Sequence, residues 1–239
     1  MRPSGTHGLS LNMKTALLQA FQLLLSGDDE LMNIISVTLR MGLTSSVFAL
    51  LLGAPVGTLL GSSVFRGKSI LITINRTMMS LPPVVCGLIC YLLFCGVGPL
   101  RHLRLLYTVQ GMVIAQIILI TPLIIGNVET YVSTIAPGIR ETARGLRLGK
   151  MKLLFLLVNE SRHQFLATYL FGLGRAFAEV GAISMVGGAI AYKTNVMTTA
   201  IMNYTNMGNF VIALSLGYIL LGISLILNVL GILLQRRFK

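Results

Sequence analysis

The sequence predicts an all-α integral membrane protein: about five transmembrane helices, an N-terminal interfacial helix, and a short polar helical segment between the third and fourth spans. Three observations carry this. Only 11% of the 239 residues are charged, against about 25% in a soluble domain. Mean hydropathy is +0.82. Five apolar segments approach or exceed the roughly 20 residues that a helix needs to cross a bilayer.

The spans read as about Ile34 to Leu60, Leu71 to Phe94, Leu105 to Val128, Phe165 to Ile190 and Phe210 to Leu234. Residues 1–33 therefore form an N-terminal segment, and residues 34–239 the transmembrane domain. Ala16 to Leu25 is apolar but too short to span, so it is read as lying in the interface. The start of the chain is too polar to resemble a cleaved signal, and no A-x-A-like site follows. Asp28, Asp29 and Glu30 then fall in the first turn of the first span, where the helix dipole favours acids.

Net charge is +12. In a soluble chain that would suggest nucleic acid, but basic and aromatic residues do not interleave on any polar surface here. Topology explains the charge better. With the C-terminus inside, the inner side holds Arg66, Lys68, Arg140, Arg144, Arg147, Lys150, Lys152, Arg162, Arg236, Arg237 and Lys239. The outer side holds Arg2, Lys14, Arg101, Arg104 and Lys193. Eleven against five places the N-terminus outside and the C-terminus in the cytoplasm. Five spans require that opposition.

Proline marks one interruption. Ser80-Leu81-Pro82-Pro83 breaks the second span, because proline lacks a backbone donor and disfavours helix in the residue before it. Arg76 stands just before the break. It either snorkels to the inner face or marks a widened pathway. In the fourth span Arg175 and Glu179 are four apart and can pair, as a packing device or as a gate. Gly174, Gly181, Gly187 and Gly188 permit close helix packing there. The polar run from Tyr192 to Asn209 reads as an outer loop, either a connector or a surface for an external partner.

Chemistry within the chain has little support. GSSVFRGKS, Gly61 to Ser69, has one residue too many between its glycines for a phosphate-binding loop and follows a membrane span. His7, His102 and His163 are dispersed. Cys86, Cys90 and Cys95 lack partners at metal-ligand spacing and read as small buried hydrophobes. Glu179 is the one acid well inside a predicted span. No catalytic residue, cofactor or metal is therefore assigned. No internal repeat of the kind common in secondary transporters is visible.

The segment ETARGLRLG, Glu141 to Gly149, is a polar, basic stretch within the Thr134 to Arg162 loop. Small Ala143 and Gly145 precede Leu146 and Leu148, a pattern that can nest in a partner's groove or merely set topology. It resembles the E-A-A---G segment of permease subunits of ATP-binding-cassette importers. Thr142 stands for the first Ala, and Arg147 occupies the usual glycine position, flanked by Gly145 and Gly149. MSLPPVVCGLICYLL (Met79 to Leu93), NES (Asn159 to Ser161), GRAFAEVGAISMVGG (Gly174 to Gly188) and TTAI (Thr198 to Ile201) are similar to the tungstate-type branch, related to molybdate and sulfate permeases.

The resemblance implies a homodimer in the plasma membrane of a bacterium or archaeon. It implies two ATPase subunits carrying ATP and Mg²⁺ on the cytoplasmic side and a solute-binding protein outside. Glu141, Thr142, Ala143, Gly145, Leu146 and Gly149 would then form the coupling helix and its flanks. Tungstate is the implied cargo; molybdate, sulfate or another small solute stays open, as does a self-contained channel or secondary transporter.

Overall fold

The computed structural model describes residues 5–237. Arg2 and Lys239, which entered the charge balance, lie outside them. Among the described residues the chain is helical, with no strand. The helices are α1 (Gly5–Ser26), α2 (Asp29–Ser62), α3 (Lys68–Met79), α4 (Pro83–Phe94), α5 (Val109–Gly145), α6 (Lys150–Glu160), α7 (Arg162–Phe177), α8 (Gly181–Gly187), α9 (Met197–Asn206) and α10 (Phe210–Arg237). Three of them, α2, α5 and α10, are long and apolar enough to cross a membrane alone. Counting α3–α4 and α7–α8 as single bent spans brings the number to five.

The core is a parallel helix pair. In α2 a small residue recurs every fourth position: Ser45, Ala49, Gly53, Gly57 and Gly61. This stripe lies on Gln116, Ile120, Ile124, Val128 and Val132 of α5, all but fully buried. Added methyl groups at Gly53, Gly57 and Gly61 would lie 2.8 Å from Ile124, Val128 and Val132. Each pairing is 71 positions apart, as is the hydrogen bond from Ser45 Oγ to Gln116 Oε1. A constant offset means that both helices run the same way. Small residues let the backbones approach closely, which drives association where lipid gives no hydrophobic contrast. Gln116 Nε2 donates to the Ala176 carbonyl at 2.8 Å and ties α7 to the pair.

Helix ends follow local chemistry. Asp28 caps α2 by accepting from Glu30 N at 2.9 Å, with Asp29 and Glu30 in the first turn. Pro55, Pro122 and Pro137 sit inside helices that continue through them. The pair Pro82-Pro83 does stop the chain. Pro82 is itself the residue before a proline and takes the extended conformation, φ −61° and ψ 127°. The two halves of the second span meet at 93°.

Four sequence expectations change. The fourth span is also broken, by 60° between α7 and α8, although no proline marks it. The helix of the third span does not stop near Val128; α5 runs on to Gly145, so the Thr134 to Arg162 segment is mostly helix and not a loop. Glu129, counted outside the spans, is a 7%-exposed residue within α5. The polar run after Tyr192 is not a plain outer loop either. It folds into α9, whose first N–H, at Met197, is accepted by Thr38 Oγ1 at 2.9 Å.

The N-terminal helix is packed on the bundle. α2 begins at Asp29, and α1 packs across α10, where Ser215 Oγ donates to the Ala16 carbonyl at 2.8 Å. Ala20, Leu31, Ile34, Met197, Ala200, Leu216 and Ile219 form one buried cluster that joins α1, α2, α9 and α10.

Candidate functional site

Two regions carry polar groups that the packing alone does not require. The first is at the end of the bundle where α5 runs past α2. Arg140 donates from Nη2 to the Ser62 carbonyl and fixes this extension to the end of α2. The helix then ends in a Schellman motif: Leu148 N–H bonds the Ala143 carbonyl at 2.8 Å, and Arg147 N–H the Arg144 carbonyl at 3.1 Å. Arg147 sits at the left-handed position of that motif, φ +52°. The position aligned with the family's usual glycine is thus the one where glycine is conformationally favoured.

The turn delivers the chain into α6. Its inner face, Leu153, Leu154 and Leu157, packs on the bundle, with Leu157 fully buried beside Val132 and Ala136. Its outer face presents Met151, Phe155 and Val158, at 80%, 75% and 43% exposure. Spacings of four and three put them on one stripe. Leu146, 65% exposed, adds to the same end of the molecule.

Of the residues assigned from sequence, Glu141, Thr142, Gly145, Leu146 and Gly149 are exposed here, whereas Ala143 is turned into the bundle at 3% exposure. The Met151–Phe155–Val158 stripe was missed. Its spacing was readable, but the whole region was read as a loop around the preceding nine residues.

The second region is the break in the fourth span. Arg175 Nη2 lies 3.4 Å from Glu179 Oε2. The pair straddles the end of α7 instead of sharing one unbroken helix. Glu179 is 4% exposed. Its other carboxylate oxygen accepts from Ala182 N at 3.2 Å, and its carbonyl accepts from Thr198 Oγ1 of α9 at 2.9 Å. Thr194 Oγ1 donates to the Gly187 carbonyl at 2.6 Å and accepts from Ile190 N at 3.0 Å. The unpaired backbone at the bend is thus satisfied by side chains, as lipid-depth irregularities require. One acid, one arginine and two threonines join α7, α8 and α9 at this bend.

The glycines assigned to packing divide. Methyl groups at Gly181 and Gly187 would meet Val84 at 2.7 Å and Met112 at 2.6 Å. Gly188 stands at φ +70° against the Tyr107 ring. Gly174 faces open space, so the chain itself packs nothing there. Gly42, which the sequence did not single out, takes the Phe177 ring instead.

Residues 53–239 match the family described as the binding-protein-dependent transport system inner membrane component. The tungstate uptake system permease protein TupB of Peptoclostridium acidaminophilum is 32% identical over 209 residues, covering 87% of this chain and 92% of that one. TupB of Campylobacter jejuni is 34% identical over 218 residues, 91% of each chain. The sulfate transport system permease protein CysW of Synechococcus elongatus is 29% identical over 222 residues, 88% of this chain and 76% of that protein. With a continuous family match over the greater part of its length, the chain belongs to the inner membrane components of binding-protein-dependent transport systems and is an ABC transporter permease.

Proposed function

We propose that this chain imports tungstate as one half of a homodimeric pathway, driven by ATPase subunits that dock on α6. The observation that carries the docking is the exposed Met151–Phe155–Val158 stripe on a short helix held rigidly to the bundle by Leu157. An amphipathic helix with such a stripe suits an apolar groove. The two TupB relatives, which match about nine tenths of this chain, support tungstate over sulfate.

In this reading the α6 end is cytoplasmic, and a solute-binding protein meets the opposite end. ATP and Mg²⁺ sit in the partner ATPases. ATP binding draws the two α6 helices together, and ATP hydrolysis releases them. Two ligands far apart, nucleotide and cargo, bias one two-state element. The Arg175–Glu179 hinge is the part of this chain whose geometry would change between states.

The test uses the complete transporter in proteoliposomes with its binding protein. Phe155→Asp and Glu141→Arg should each insert normally, lose most co-purifying ATPase, and lower ATP-driven tungstate uptake at least tenfold. Uptake equal to wild type in both variants would overturn the docking assignment. Uptake without ATPase would overturn the import mechanism. Preference for sulfate or molybdate in competition would move the cargo to those relatives' ions.

A further inference from the structure

One cavity belongs to neither the docking stripe nor the hinge. It lies between α3 and α5 beside the 93° bend, and its volume is about 270 Å³. Its polar lining is Asn75, Arg76, Ser80, Asn127, Glu129 and Thr130. The helices are held close there because Gly126 leaves room for the Met79 sulfur, and because Asn75 Nδ2 donates to the Pro122 carbonyl at 3.0 Å. The cavity is near the α6 end: a methyl group on Gly61, in the last turn of α2, would lie 2.9 Å from the Glu129 carbonyl.

The charges in it are unusual. Glu129 is 7% exposed, whereas Arg76 is exposed at the cavity's open side, and neither has an ion-pair partner among the described residues. A buried carboxylate without a partner is costly. Charges at membrane depth face a wet cavity or a partner and mark ion pathways. Here one of each sign lines the same space, unpaired.

We propose that this cavity is an exit-side station for the transported oxyanion, in which Arg76 holds the ion and Glu129 drives it out. The inference rests on the oxyanion reading above. A guanidinium offers a planar fork to two oxygens of a tetrahedral anion. The Thr130 hydroxyl, the Asn127 amide and the second N–H of the Asn75 amide supply neutral donors. A water occupies about 30 Å³ of liquid, so the space holds an ion with part of its hydration shell. Glu129 offers acceptors only and repels the anion. That repulsion keeps binding weak enough for release.

The two charges should act in opposite directions, which loss of structure alone would not produce. The experiment is equilibrium dialysis of tungstate against the purified permease–ATPase complex without its binding protein, paired with uptake by the complete system. Glu129→Gln should tighten tungstate binding about tenfold and slow uptake. Arg76→Gln should abolish binding, and Arg76→Lys should restore part of it. Elution of each variant as the intact complex controls for folding. Tungstate binding by Glu129→Gln that is absent, unchanged or weaker than wild type overturns the station, as does wild-type binding by Arg76→Gln. If the wild-type transporter imports no tungstate, molybdate or sulfate, the oxyanion reading fails first, and the two failures are thereby told apart.

Discussion

Arg147 shows how a single backbone angle shapes the α6 end of the molecule. It holds the left-handed position of the Schellman motif at φ +52°, where an L side chain costs roughly 1–2 kcal/mol. Nothing in the motif needs its side chain, because both closing hydrogen bonds are main-chain. Arg147→Gly should therefore stabilise the permease by about 1 kcal/mol, less than the full strain because glycine also loosens the unfolded chain. Arg147→Val should destabilise by at least as much, since a branched side chain tolerates this region worst. Thermal unfolding of the two variants in detergent checks both signs. Residues of this kind are legible only in part. The motif's alignment placed an expected glycine at Arg147, but the angle that explains it emerges only from the folded turn. Gln116 was not legible at all. Its partners, Ser45 and Ala176, stand 71 and 60 positions away, and one amide in an apolar run says nothing about what it will meet.

At the scale of elements, glycine position decides tolerance more than glycine content. A side chain at Gly57 would begin 2.8 Å from both the Ile125 carbonyl and Val128 Cβ. A backbone carbonyl in a packed helix cannot swing aside, so α2 and α5 would have to part. Gly57→Leu should cost about 3 kcal/mol or more, beyond ordinary overpacking of 1–3 kcal/mol. Gly174, in the last turn of α7 and facing open space, is the contrast: Gly174→Ala should stabilise α7 by about 0.5 kcal/mol. Thermal midpoints of both variants, each against wild type, test the pair of signs. The sequence marked long apolar helices well, together with the one break that proline announces. It hid the second break because Ala178, Glu179 and Val180 are not chain terminators; that bend persists because Thr198 and the Glu179 carboxylate satisfy its backbone. It hid α9 because a run rich in Thr and Asn reads as loop, whereas those hydroxyls bond backbone groups inside the fold. It ended α5 early because hydropathy falls at Glu129, yet a helix need not stop where the membrane does.

For the whole molecule, the parallel pairing of α2 and α5 is the organising fact. Two membrane-length helices that run in one direction require a returning span between them, which the bent α3–α4 pair supplies. The Ser63–Gly67 turn, α6 and the end of α5 then share one end of the bundle. The α4–α5 connection and the Gly188 turn share the other, where Tyr107 N–H bonds the Val186 carbonyl at 2.9 Å. Arg66, Lys68, Arg140, Arg144, Arg147 and Lys152 all fall at the α6 end, and lysine and arginine gather on the cytoplasmic side. The arrangement therefore predicts which side each end faces. Val64 and Val97 are 83% and 93% exposed at opposite ends, so neither substitution disturbs packing. In a chain with Cys86, Cys90 and Cys95 replaced by alanine, Val97→Cys should react with a membrane-impermeant maleimide on intact cells. Val64→Cys should react only after the membrane is opened. The opposite pattern would turn α6 away from the cytoplasm, leaving the Met151–Phe155–Val158 stripe with no ATPase to meet and the Arg76–Glu129 cavity at the entrance of the pathway instead of its exit.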